Sequence, residues 1–141
     1  MPKQDETRVK DWVRDGFRAL FDPDRSLGIP VEGGAGQIKG LPDRYYAAAG
    51  GSAWVEAKQG DYRPDPRQCR IMGRLASAGD RVILLRGCVA NESVTTHLVE
   101  PDQGCYLYLR RKDLRYHSVF TREELSSPAF WTCVLGVRVP G

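Results

Sequence analysis

Apolar residues recur near the start of the chain at Val9, Trp12, Val13, Phe17, Leu20 and Phe21. That spacing fills one side of a helix and predicts one over residues 5–21. Gly16 lies on the same stripe, where another element can pack closely. Glu6 falls in the first turn, near the buried edge, and Asp22-Pro23-Asp24 ends the helix. A loop follows, with a short strand expected near residues 29–31. Tyr45 and Tyr46 before Gly50-Gly51, and Trp54 and Val55 after it, are strand-forming types around a turn signal, so a hairpin is expected. Residues 59–65 read as a loop. A second helix is expected over residues 66–78, from Pro66 to Gly79, with Ile71, Leu75 and Ala78 as its apolar stripe. The wholly apolar run 82–85 reads as a strand buried on both faces and parallel to a neighbour. Residues 94–100 and 106–110 read as further strands. Thr121 and Glu124 form a capping box, with Phe120 and Leu125 placed as its staple. Ser127-Pro128 starts another helix carrying Phe130, Trp131, Val134 and Leu135. Helix, hairpin, helix, strand is an α/β order.

The hairpin carries the chemistry. With the turn at Gly50-Gly51, Ala49 opposes Ser52, Ala47 opposes Trp54, Tyr45 opposes Glu56 and Asp43 opposes Lys58. Alternation then puts Asp43, Glu56 and Lys58 on one face, with Tyr46, Ala48, Val55 and Ala57 on the other. Asp43 and Glu56 become diagonal neighbours roughly 7–8 Å apart, able to share a hard cation. The alternative is an ordinary exposed strand face with an Asp43–Lys58 ion pair. Pro-Asp carries little information here, since it recurs at Pro23, Pro42, Pro64 and Pro101, whereas Glu56-Ala57-Lys58 is the one acid-x-Lys in the chain.

Composition narrows the class. At 141 residues, 41% hydrophobic and 28% charged, the chain reads as one ordinary globular domain. A net charge of +3 permits nucleic-acid binding without demanding it. Cys69, Cys88, Cys105 and Cys133 lack metal-ligand spacing and are expected as free thiols. The polar N-terminus and the lack of long apolar runs predict no signal peptide, no membrane span and a cytoplasmic location. His97 and His117 read as structural. The glycine-rich stretch 33–40 fails the phosphate-loop patterns. It is either a plain loop or an approach loop that brings Lys39 to a phosphate. Arg67, Arg70 and Arg74 line one helix face, suited to a DNA backbone or simply to solvent. Arg110, Arg111, Lys112 and Arg115 form a second basic cluster.

Several segments in order resemble the PD-(D/E)XK nuclease superfamily, and within it the virus-type replication-repair nuclease (VRR-NUC) domain. They are Gly40-Leu41-Pro42-Asp43, Trp54-Val55-Glu56-Ala57-Lys58, the Pro64 to Gln68 entry into a helix, and Ala78-Gly79 followed by the apolar run 82–85. The resemblance covers residues 5–87. It implies a restriction-endonuclease-like αβββαβ core with a mixed central sheet, its first strand coming from residues 29–31 or 37–38. Residues 88–141 would be a C-terminal α+β elaboration within the same domain. It implies a Mg²⁺ ion, with Mn²⁺ able to substitute, held by Asp43, Glu56 and the backbone carbonyl of Ala57. Lys58 would orient the nucleophilic water or stabilise the transition state as a fixed positive charge, and Gln68 would hold the site or the water by hydrogen bonds. The first-helix acid of the family would be Glu6, with Asp5 and Asp11 behind it, although acids suit any first helical turn. DNA contacts would come from Lys39, Arg44, Arg63, Arg67, Arg70 and Arg74.

The implied activity is endonucleolytic hydrolysis of DNA, selective for branched structures, in phage replication, recombination or repair. A homodimer or higher homo-oligomer is expected. The alternative is a non-catalytic DNA-binding or virion-assembly protein on the same fold. Two departures stand out: a long stretch between the first helix and Pro42-Asp43, and a C-terminal third without counterpart in minimal members.

Overall fold

The structure is a computed structural model and describes residues 2–31, 40–60, 62–101 and 117–141, with the side chains of residues 2–4 and 117 excepted. Lys39, the 37–38 strand candidate, the expected 106–110 strand and the Arg110 to Arg115 cluster lie outside these residues.

A long helix, α1 (Pro2–Leu20), leads into strand β1 (Leu27–Pro30). Strands β2 (Arg44–Ala48) and β3 (Gly51–Gln59) form the hairpin. Helix α2 (Pro66–Ser77) and strand β4 (Val82–Cys88) follow, completing the αβββαβ order of a restriction-endonuclease-like core. Then come β5 (Ser93–Leu98), β6 (His117–Thr121), a 3-10 turn (Glu123–Ser126) and α3 (Pro128–Leu135). Among the described residues, six strands form one mixed sheet in sequence order. Of their pairings only β3–β4 is parallel, because α2 is the crossover between them.

Side-chain alternation divides the core. On one face Tyr46, Ala48, Ala53, Val55, Ala57, Ile83 and Leu85 pack under α1, the 3-10 turn and α3. On the other, Val82 and Leu84 meet Cys69, Met72 and Ala76 of α2. The second helix is therefore rotated from the expected stripe. It buries Cys69, Met72, Gly73 and Ala76, while Leu75 packs at the margin and Ala78 is the exposed C-cap. Burial of Met72 also decides where Gln68, one turn earlier, points. Gly16 sits where expected: a Cβ there would strike the backbone carbonyl of Leu125, so α1 and the 3-10 turn touch through the glycine.

The hairpin register differs from expectation by two residues. Ala48 pairs with Gly51, Ala47 with Ser52 and Tyr45 with Trp54. The turn is Ala49-Gly50, with φ of 54° and 86°, both in the left-handed region that a tight hairpin turn requires. Gly51 is spent differently: a Cβ on it would lie 2.7 Å from the Leu135 carbonyl oxygen, so the strand needs glycine there to admit the end of α3. Ala49 thus occupies a conformation that suits asparagine or glycine. Ala49→Asn is expected to raise stability by about 0.5–1 kcal/mol, read as a higher urea midpoint. No gain would mean that the turn is not the strained element.

The Thr121 capping box forms, with Thr121 N–H donating to Glu124 at 2.9 Å and Glu124 N–H to the Thr121 hydroxyl at 3.3 Å. It starts only a 3-10 turn, because Pro128 forces the preceding Ser127 into an extended conformation (φ −94°, ψ 151°). Ser127 then caps α3, accepting from Phe130 N–H at 3.3 Å. Phe120 packs against the same cluster as Leu125. Among the described residues Cys69, Cys88 and Cys133 are not joined in disulfides. Among the described residues, no helix is long and apolar enough to cross a membrane.

Candidate active site

Because β2 begins at Arg44, opposite Val55, the next residue back, Asp43, is level with Glu56. Two hydrogen bonds fix this placement. Asp43 N–H donates to Glu56 Oε1 at 3.2 Å, and Ala57 N–H donates to Asp43 Oδ2 at 3.2 Å. The two-residue shift in register keeps every side chain on its expected face. It replaces the expected Asp43–Lys58 opposition with an Asp43–Glu56 one, so the carboxylates are nearer than diagonal neighbours. The ordinary alternative, an Asp43–Lys58 ion pair, is replaced by other pairings. Lys58 Nζ lies 3.1 Å from Glu56 Oε2 and 3.8 Å from Glu6 Oε1, while Asp43 Oδ2 lies 3.5 Å from Lys10 Nζ.

Backbone direction adds a further oxygen. Trp54 N–H bonds to Arg81 on the β4 side. Alternation turns the peptide groups of Val55 and Ala57 to the β2 side, where the N–H of Ala57 meets Asp43. The N–H and C=O of one strand residue face the same edge, so the Ala57 carbonyl also faces Asp43.

The helices complete the cluster. Asp65 caps α2 in a reciprocal box: its carboxylate accepts from Gln68 N–H at 2.8 Å, and its own N–H donates to Gln68 Oε1 at 3.0 Å. The Gln68 amide nitrogen then donates to Glu56 Oε2 at 3.2 Å. Asp65 followed three places later by Gln68 is a capping-box signature that the reading of Gln68 alone overlooks, and the box locks the side chain that touches Glu56. Among the first-helix acids, Glu6 reaches the site, while Asp11 pairs with Arg14 at 3.2 Å.

Glu56 is 1% exposed. Burial, and then the neighbouring Asp43 carboxylate, push its pKa up to about 8, against the pull of Lys58. For Lys58 burial disfavours the charge, but Glu56, Glu6 and Asp43 together outweigh it and hold its pKa above the usual lysine value. The site therefore pairs a carboxyl short of positive charge with an ammonium that stays protonated.

Two residues of the cluster are not marked by sequence pattern. Lys10 is one helical turn beyond Glu6, 3.6 Å from its Oε2, and bridges it to Asp43. The i, i+4 spacing is a visible signal, but the link to Asp43 is through space. Arg86 extends β4 beyond the expected apolar run and is level with Lys58 on the parallel neighbour. It is 3% exposed and donates to the Tyr62 carbonyl at 2.9 Å, tying the loop that enters α2 to the sheet.

The expected DNA contacts divide. Arg67, Arg70 and Arg74 are exposed on α2, and Arg63 is exposed just before it. Arg44 points to the opposite face from Asp43, its guanidinium 5.8 Å from the Tyr46 ring centre. His97 is buried on β5, level with Leu84.

A divalent cation fits this donor set in one manner. Among the described residues no three His, Cys, Asp or Glu side chains gather as a ready cation site. The Asp43 and Glu56 carboxylates lie side by side instead, with the Ala57 peptide turned to the same edge, which is the modest protein share that magnesium accepts beside water and phosphate.

Fold and site together define a mixed α/β protein with a carboxylate–lysine cluster at one end of its sheet. No protein-family model and no curated protein matches the chain. Among solved structures it is similar to Hjc of Archaeoglobus fulgidus, described as a Holliday junction resolvase from an archaeal hyperthermophile. The two are 11% identical over 67% of this chain and 73% of that one, with a TM-score of 0.45.

Proposed function

We propose that this chain is a Mg²⁺-dependent DNA endonuclease that acts on branched DNA. The observation that carries the reading is the convergence of Asp43, Glu56, Lys58 and Gln68 at one end of the sheet, with the Ala57 N–H bound to Asp43 and Glu6 reaching in from α1. A buried Glu56 beside a partly exposed Asp43, both facing a polyanion, is unfavourable unless a cation lies between them. When bound, magnesium would supply the positive charge that phosphodiester hydrolysis needs as negative charge develops. Asp43, Glu56 and the Ala57 carbonyl would hold it. Lys58, protonated and fixed between Glu56 and Glu6, would place a positive charge at the reacting phosphate. Gln68 would keep Glu56 oriented through its locked amide. Arg67, Arg70 and Arg74 would follow the DNA backbone beside the site. A two-fold dimer would suit cutting both strands of a junction.

The test is cleavage of labelled four-way junction, flap, single-stranded and duplex DNA, with Mg²⁺, Mn²⁺ or chelator, beside Glu56→Ala. Metal-dependent cutting of branched DNA, lost in the variant, is expected. DNA binding with no cutting of any substrate would leave a binding protein instead. Replacing Arg67, Arg70 and Arg74 together by Gln should weaken DNA binding and lower the salt slope by about three, as roughly one counterion is released per phosphate contact. An unchanged slope would place the DNA elsewhere.

A further inference from the structure

Two ammonium groups are interleaved with three carboxylates at this site. Lys10 lies between Glu6 and Asp43, and Lys58 between Glu6 and Glu56. The two lysines are held differently. Lys58 is 15% exposed and pinned beside the buried Glu56, whereas Lys10 is 26% exposed and meets only carboxylates that are themselves about a quarter exposed. Lys58 cannot leave without uncovering a buried acid. Lys10 can rotate its flexible four-carbon stem away at little cost.

Asp43 Oδ2, which Lys10 approaches, belongs to the carboxylate that would hold the cation, and the two positive groups would crowd the same oxygens. We infer that Lys10 is a built-in counter-ion for Asp43, displaced by the divalent cation and then bound to the phosphate backbone of the DNA. The inference rests on the metal-nuclease reading above. It follows from the placement of Lys10: its ammonium and the two carboxylates it meets are each about a quarter exposed, so all three are within reach of solvent and of a bound polyanion. An ammonium freed there exchanges one anionic oxygen for another. Cation loading and DNA binding would thereby be linked, since the ion that completes the site also releases a group that grips the substrate.

Calorimetric titration of the full chain with Mn²⁺ tests the first half. Lys10→Met keeps length and helix propensity but removes the charge, and Lys10→Arg keeps the charge. Lys10→Met is expected to bind Mn²⁺ about fivefold more tightly than the wild type, as suits loss of one half-exposed competing charge, and Lys10→Arg about as the wild type does. Duplex binding in Ca²⁺ at several salt concentrations tests the second half. Lys10→Met should bind DNA more weakly, with a salt slope smaller by about one. Equal or weaker Mn²⁺ binding by Lys10→Met, beside wild-type binding that Glu56→Ala abolishes, overturns the counter-ion role alone. An unchanged salt slope overturns the phosphate contact. Absence of Glu56-dependent Mn²⁺ binding in the wild type overturns the metal-nuclease reading and this inference with it.

Discussion

Glu56→Gln is expected to abolish DNA cleavage while making the protein more stable in neutral and mildly alkaline solution. Both effects come from the same carboxyl. Its pKa is pushed from 4.5 to about 8, first by burial and then by Asp43. The folded chain therefore holds this proton more tightly than the unfolded chain does. Its contribution favours folding fully below about pH 4.5 and is lost as pH rises toward about 8. Above that, the folded protein carries a buried charge offset by Lys58, the Gln68 amide and the Asp43 N–H. Lys58 runs over a higher range: its raised pKa keeps its stabilising contribution until the solution passes the ordinary lysine value of 10.5. A tenfold difference in proton affinity between folded and unfolded chains is worth about 1.4 kcal/mol, so the Glu56 penalty near pH 8 is on the order of a few kcal/mol. Glutamine fills the same volume and has no charge to bury. Thermal melts from pH 5 to pH 9 should show the variant's advantage growing with pH, reaching roughly 5–10 °C. Magnesium should raise the wild-type melting temperature at pH 8, because a ligand that binds only the folded form stabilises it, and should leave Glu56→Gln unmoved. Cleavage by the variant should fall by at least about a thousandfold, the scale on which loss of a key charge-stabilising group is felt. A variant less stable than the wild type at pH 8 would show that Glu56 is satisfied as an ion by Lys58, and would remove the reason to place a cation there.

That tension is legible in the sequence as a pattern of faces, but not as a set of contacts. Alternation across the hairpin puts Asp43, Glu56 and Lys58 on one face, and a slip of two residues preserves faces. The assignment therefore survives a misplaced turn. The slip comes from reading both glycines as turn residues, while Gly51 is needed for the close approach of Leu135. No local rule contains that information, because the constraint arrives from the other end of the chain. The second helix shows the same limit. Ile71, Leu75 and Ala78 form an acceptable stripe by spacing, yet Met72 and Cys69 turn inward because Leu84 and Val82 meet them. That rotation is what aims Gln68 at Glu56. The contact of Lys10 with Asp43 likewise depends on where α1 crosses the sheet.

The C-terminal third gives the second large effect. Trp131→Ala is expected to cost about 3–5 kcal/mol, the usual penalty for emptying a buried aromatic site. Spacing alone marks Trp131 as one apolar residue on a short late helix. In the fold it lies at the centre of the larger core cluster, with no exposed surface. Its ring is 4.8 Å from Phe17 of α1, 5.0 Å from Tyr46 of β2 and 5.1 Å from Phe130, and its indole N–H donates to the Leu125 carbonyl at 2.7 Å. One side chain thus joins the first helix, the β2–β3 hairpin and the 3-10 turn. Alanine would leave a cavity and an unpaired buried carbonyl together, and neighbouring rings cannot collapse into the space without moving α1. Because Glu6 and Lys10 ride on α1, a shift of that helix would also misplace them against Lys58 and Asp43. Urea unfolding should show a lower midpoint with an unchanged slope. A loss under about 1 kcal/mol would mark residues 117–141 as peripheral, and would break the connection between the late helix and the position of the first.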